Sequence, residues 1–128
     1  MTSDEKNSLV KAQQGELDAV ILYRKLAEVA KDKYMKEEFL RIAADEGKHA
    51  AILREYTGEV LKPKSTKANF VALMYKFLGH NFTMNILASG EIKSIDKYNT
   101  MVRNFPNIEK IIKDEAKHAE ITRNLIRK

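Results

Sequence analysis

The sequence predicts an all-α fold: a four-helix bundle made of two antiparallel helix hairpins joined by a long crossover. Three observations predict it. Four long segments repeat apolar residues at alternating steps of three and four, the period of helices buried along one face. Only a few residues separate the first segment from the second and the third from the fourth, whereas Gly58 to His80 lie between the middle two. Finally, the phrase Asp45-Glu46-Gly47-Lys48-His49-Ala50 returns as Asp114-Glu115-Ala116-Lys117-His118-Ala119, one copy to each hairpin.

The first segment runs from about Ser3 to Ala30 and opens on a capping box of Thr2 with Glu5. Its seam is Leu9, Gln13, Glu16, Val20, Tyr23, Ala27 and Ala30. The second, about Lys33 to Thr57, aligns Phe39, Ile42, Glu46, His49, Leu53 and Tyr56, and Gly58 suits a helix stop. The third, about Asn81 to Arg103, offers Met84, Leu87, Glu91, Ile95, Tyr98 and Val102. Pro106 interrupts the period, and the fourth, about Asn107 to Ile126, carries Ile108, Ile111, Glu115, His118, Thr122 and Leu125. The crossover opens on a polar, proline-containing stretch, Glu59 to Lys67, and continues as an apolar run, Asn69 to Leu78, which suits a small helix. A connection of this length spans a bundle, and it also permits exchange between two subunits, so a homodimer is expected, with domain swapping open to it.

A chain of 128 residues with 44% hydrophobic content supports one domain and one core, residues 1–128. Zero cysteines exclude disulfides, zinc fingers, iron–sulfur clusters and thiol nucleophiles. The polar, acidic start Met1-Thr2-Ser3-Asp4-Glu5-Lys6 is unlike a targeting peptide, and no run approaches the roughly 18 apolar residues of a membrane span. The cytoplasm is the expected location. The net charge of +5 would suit an anionic partner, but the lysines are scattered over every segment as on solvated helix faces, so neither nucleic acid nor membrane is expected as a partner.

In each of the four segments a carboxylate stands where the period calls for a hydrophobe: Glu16, Glu46, Glu91 and Glu115. Residues three apart share one helix face, so Glu46-x-x-His49 and Glu115-x-x-His118 each aim a carboxylate and an imidazole at one volume. Glu16 precedes the first turn by about fifteen residues and Glu46 follows it by about fifteen, so an antiparallel pair levels them roughly 22 Å along the axis at 1.5 Å per residue. Glu91 and the Glu115 to His118 segment are level to within a turn in the second hairpin. Four glutamates and two histidines converging on one slice are the ligand set of a di-iron or di-manganese helical bundle. Burying even one unpaired carboxylate costs several kcal/mol, and four close together also repel. Two divalent cations neutralise the four charges, and imidazole with carboxylate suits iron, with manganese or zinc as substitutes. Glu16 and Glu91 are assigned as terminal ligands, Glu46 and Glu115 as bridging ligands, and His49 and His118 as one nitrogen ligand per metal. A ligating histidine donates its other ring N–H to an acceptor, a role that Asp45 and Asp114 are placed to fill from beside the bridging glutamates.

These residues resemble the rubrerythrin branch of the ferritin-like di-iron carboxylate superfamily: Gly15-Glu16 with Tyr23 two turns on, Glu46-x-x-His49, Gly90-Glu91 and Glu115-x-x-His118, over essentially the whole chain. The resemblance implies a ferritin-like bundle with a carboxylate-bridged di-iron centre that reacts with hydrogen peroxide or dioxygen, with Tyr23 hydrogen-bonded to a ligand carboxylate. It also sets two departures. Peroxide-reducing members place a further glutamate three residues after the third-helix ligand, where this chain has Ser94, so the site looks more like a six-ligand ferritin or bacterioferritin centre. Without cysteine there is no rubredoxin-type centre, so an external redox protein is expected as electron donor.

Three functions follow from such a site: an oxidoreductase of peroxidase or ferroxidase type, a non-catalytic iron-binding or delivery module, and a structural or nucleic-acid-binding bundle with a vestigial centre. The first is expected. His80 sits at the start of the third segment, far from the level of Glu91, and is read as a capping or surface residue. The methionines Met35, Met74, Met84 and Met101 are read as core filler, and Gln13 as lining a polar path to the site.

Overall fold

The computed structural model describes residues 1–127 and is all-helical, with five helices and no strand among the described residues: α1 (Ser3–Val29), α2 (Lys33–Thr57), α3 (Thr66–Leu78), α4 (His80–Asn99) and α5 (Ile108–Asn124). Two compact units make up the chain, Met1–Ala72 and Leu73 onward.

The first unit is the α1–α2 hairpin with the start of the crossover. Thr2 Oγ1 accepts from the Glu5 backbone N–H while Glu5 returns a carboxylate oxygen to the Thr2 N–H, so the expected capping box starts α1. Asp32 caps α2 by accepting from Met35 N–H at 2.8 Å. At the other end Gly58, at φ 68°, takes the left-handed turn that a side chain would resist, and its N–H closes on Arg54 O. The helices run antiparallel: Gln13, early in α1, bonds to Thr57 at the end of α2, while Tyr23, late in α1, lies with its ring centroid 6.1 Å from that of Phe39, early in α2. Leu9, Leu26, Phe39, Ile42 and Leu53 fill the seam at 1% exposure or less.

The crossover is strapped to α1. Gln13 Nε2 donates to Glu59 O at 3.0 Å and its Oε1 accepts from the Thr57 hydroxyl at 2.6 Å, while Gln14 Nε2 donates to Lys62 O and Asp18 accepts from Lys64 N–H. Residues 59–64 thus run alongside the 13–18 stretch of α1. Gln13 therefore does not line a path to the site; its amide is spent in holding the crossover. Gln13→Leu keeps the volume but takes away the acceptor of the buried Thr57 hydroxyl hydrogen and the donor to the Glu59 carbonyl. We expect it to cost about 1–3 kcal/mol, read as a lower urea midpoint at unchanged m-value.

In the second unit α4 and α5 pair antiparallel. His80 and Asn81, at the start of α4, bond to the backbone of Leu125 and Arg127 beyond the end of α5, and the link between the helices spans 100–107. Met84, Ile108 and Ile111 are fully buried. Two boundaries differ from expectation. The small helix begins at Thr66 rather than Asn69, because Ser65 O already accepts from Asn69 N–H at 2.9 Å and draws the polar residues Thr66 and Lys67 into the first turn. α4 ends at Asn99 rather than Arg103, where the N–H groups of Thr100 and Met101 turn back three residues to Lys97 O and Tyr98 O and tighten the chain toward Pro106. No helix among the described residues is long and apolar enough to cross a membrane.

Candidate metal centre

Each hairpin buries one cluster of carboxylate and imidazole. In the first, the period of α1 carries Glu16 inward between Gln13 and Val20, and the i, i+3 spacing of α2 brings Glu46 and His49 to the same level. The three are 5%, 3% and 1% exposed. His49 Nδ1 faces Glu16 Oε2 at 3.4 Å and Glu46 Oε1 at 3.2 Å. In the second hairpin His118 Nδ1 faces Glu91 Oε2 at 3.7 Å and Glu115 Oε1 at 3.8 Å, and these residues too are buried.

None of these four contacts has hydrogen-bond geometry, although all six atoms are shut away from solvent. The other buried polar side chains are differently placed. Gln13 and Thr57 bond to each other and to the crossover backbone, Thr83 donates to Gly79 O, Thr122 lies within reach of His118 O and Ala119 O, and Glu38 meets Arg41 at 3.5 Å. Two oxygens and a nitrogen facing one another suit a shared cation. Donors bound to one ion at about 2.1 Å lie about 3 Å apart when adjacent in its coordination shell, and one ligand atom from each of Glu16, Glu46 and His49 lies within 4.8 Å of the others. Glu91, Glu115 and His118 satisfy the same limit. The donor set of each hairpin therefore fits a metal ion, with no larger group required.

All six sequence-predicted ligands are thus brought into buried clusters, three to a hairpin. Asp45 and Asp114 are half-buried beside Glu46 and Glu115, at matching places in the repeated phrase. Tyr23 is 3% exposed and packs its ring against Phe39. Sequence reasoning ranked its counterpart Tyr98 below Tyr23 for contact with a ligand; Tyr98 stands seven residues after Glu91 as Tyr23 does after Glu16 and is also 3% exposed. The repeat was the signal that pairs them. Choice of Nδ1 as the inward nitrogen had no signal in the sequence, because it depends on the rotamers at His49 and His118. Ser94 is half-buried, one turn after Glu91. His80 joins neither cluster: Nε2 is 2.6 Å from Leu125 O and therefore carries the hydrogen, and Nδ1 is 3.2 Å from the Tyr75 hydroxyl. It ties the ends of α3, α4 and α5 together.

Paired glutamate and histidine on successive hairpins of an all-helical chain is the ligand layout of carboxylate-rich helical metal sites. The rubrerythrin family model matches residues 7–126, and the chain belongs to that family, a ferritin-like di-iron carboxylate family whose members usually bind iron. No curated protein and no solved structure is similar enough to count as a match.

Proposed function

We propose that the chain is a non-haem di-iron oxidoreductase of the cytoplasm, which binds two ferrous ions and oxidises them with hydrogen peroxide or dioxygen, drawing further electrons from an external redox protein. The observation that carries this reading is the pair of buried clusters, each with one imidazole nitrogen and two carboxylate oxygens facing one another, in a chain of the rubrerythrin family. When bound, two ferrous ions supply the two electrons that convert one hydrogen peroxide and two protons to two waters.

The chain's own residues hold and insulate that pair. Glu16 and Glu91 would serve as terminal ligands, Glu46 and Glu115 as bridging ligands, and His49 and His118 would each offer Nδ1. Four carboxylates match the charge of two divalent ions, and carboxylates that rotate between one- and two-oxygen attachment absorb a change of charge without moving the helices. Seam residues such as Leu9, Phe39, Ile42 and Met84 keep bulk water from the helix faces that carry the ligands. Asp45 and Asp114 orient the histidine rings, and Tyr23 holds a ligand carboxylate. Asp45→Ala with Asp114→Ala is expected to weaken metal affinity by about 10–100-fold; unchanged affinity would make both aspartates surface residues.

The deciding experiment is anaerobic ferrous titration of the metal-free chain, followed by rapid mixing with peroxide or with air while the near-ultraviolet absorption of oxidised iron is recorded. Two ions per chain and rapid oxidation support the proposal, and the faster oxidant names the activity. Tight binding without rapid oxidation would replace it with iron storage or delivery, and failure to bind would remove the metal assignment.

A further inference from the structure

Gly15 and Gly90 lie in the interior of α1 and α4, each exposed and each immediately before a terminal ligand, Glu16 or Glu91. A glycine inside a helix is less favourable than alanine, because its backbone has more freedom to lose on folding. Close approach of a neighbour or a left-handed backbone would account for one, and neither applies. Beyond the helix's own backbone, a Cβ built at either position would have nothing within 4 Å, and neither residue has a positive φ. The folded chain therefore has room for alanine at both places.

The internal repeat singles out the same two residues. Gln13-Gln14-Gly15-Glu16-Leu17-Asp18 in the first hairpin corresponds to Ala88-Ser89-Gly90-Glu91-Ile92-Lys93 in the second, and of these six places only the glycine and the glutamate agree. Their neighbours differ to the point of opposite charge at Asp18 and Lys93. Gly47 behaves otherwise: its counterpart in the repeated phrase is Ala116, and a Cβ on it would lie 3.9 Å from Val20 Cγ2, an ordinary contact.

Both glycines adjoin a carboxylate that has a distance to close. Glu16 Oε2 stands 3.4 Å from His49 Nδ1 and Glu91 Oε2 stands 3.7 Å from His118 Nδ1, against about 3 Å for donors adjacent on one ion. The side chains have little room to make up the difference alone. Ala12, Gln13, Ala19 and Val20 beside Glu16, and Leu87 and Ala88 beside Glu91, are all buried, and close packing holds rotamers fixed. The turn of helix that carries the carboxylate must then shift with it. A glycine next to the ligand is where that shift meets least resistance, and Ser89-Gly90 is a pairing at which helices bend.

We propose that Gly15 and Gly90 are positioning residues, at which the backbones of α1 and α4 yield so that Glu16 and Glu91 close on the metal ions; this rests on the di-iron reading. The test is Gly15→Ala with Gly90→Ala, measured by melting temperature before and after anaerobic ferrous loading and by ferrous titration. Alanine favours the helical backbone, so before loading the variant is expected to melt about 3–8 °C above the wild type. Once loaded, the two should melt together, because the shifted backbone no longer has the helical geometry that alanine favours. Each dissociation constant rises correspondingly by about 2–5-fold. Gly47→Ala, where the repeat already carries alanine, should raise both forms alike. An equal rise in both forms of the double variant, with unchanged dissociation constants, would overturn the proposal and leave the di-iron reading standing. So would a lower melting temperature before loading, since the glycines would then serve the fold itself. A wild-type chain that takes up no ferrous iron would overturn the proposal and the di-iron reading together.

Discussion

Alanine at both Glu46 and Glu115 is expected to take the chain from two bound metal ions to none, whereas alanine at Glu16 alone should leave one. The difference follows from the proposed roles. A bridging carboxylate would attach to both ions, so losing both would strip each ion of two oxygens; a terminal carboxylate would serve one ion only. Metal content after ferrous titration and gel filtration reads the outcome, and one ion retained by the double variant would show that these glutamates do not bridge. Stability reports the same event independently. A ligand present at 100 times its dissociation constant stabilises the folded state by about 2.7 kcal/mol per site, so two ions give about 5 kcal/mol, which for a chain of this size raises the melting temperature by about 20 °C. That increment should appear on adding metal to the wild type and vanish in the double variant, with far-ultraviolet circular dichroism confirming that the variant is folded.

The hairpins and their buried carboxylates were legible because both depend on short-range periodicity. A carboxylate in a row such as Leu9, Gln13, Glu16, Val20 and Tyr23 violates the helix pattern at one place only, so its burial could be inferred from its neighbours, and the structure finds Glu16 at 5% exposure. Capping chemistry was equally local: Thr2 with Glu5 and Gly58 mark ends because only neighbours within a turn decide them. Features set by contacts distant in sequence were harder to read. Gln13 looked like part of an approach to the site because nothing near it in sequence discloses that Glu59, 46 residues away, takes its amide hydrogen. The start of α3 was placed late because Thr66 and Lys67 are polar, although a helix entering from a loop needs no apolar residue in its first turn. The inward Nδ1 of His49 and His118 and the solvent-facing Phe77 are likewise properties of rotamer and packing. A helical period assigns residues to a face without saying whether that face is covered.

Phe39→Ala is expected to be the most damaging single change to the first hairpin, at about 3–5 kcal/mol for truncation of a fully buried phenylalanine. Phe39 is 0% exposed, and its ring is tilted 38° against that of Tyr23, so truncation leaves a void that helices held by a short turn at one end and the crossover strap at the other can close only in part. At about 4 °C per kcal/mol the melting temperature should fall by roughly 12–20 °C, while Phe39→Leu should cost much less because most of the volume is kept. The same variant tests whether Tyr23 belongs to the metal site. If the Tyr23 ring served only to fill the core, metal would stabilise the variant and the wild type by equal amounts, because a loss confined to packing leaves the dissociation constant unchanged. If Phe39 holds Tyr23 where its hydroxyl supports a ligand carboxylate, releasing the ring weakens metal binding and shrinks the increment. We expect it to shrink, as measured by the difference in melting temperature with and without metal in the two proteins; equal increments would confine Tyr23 to the core.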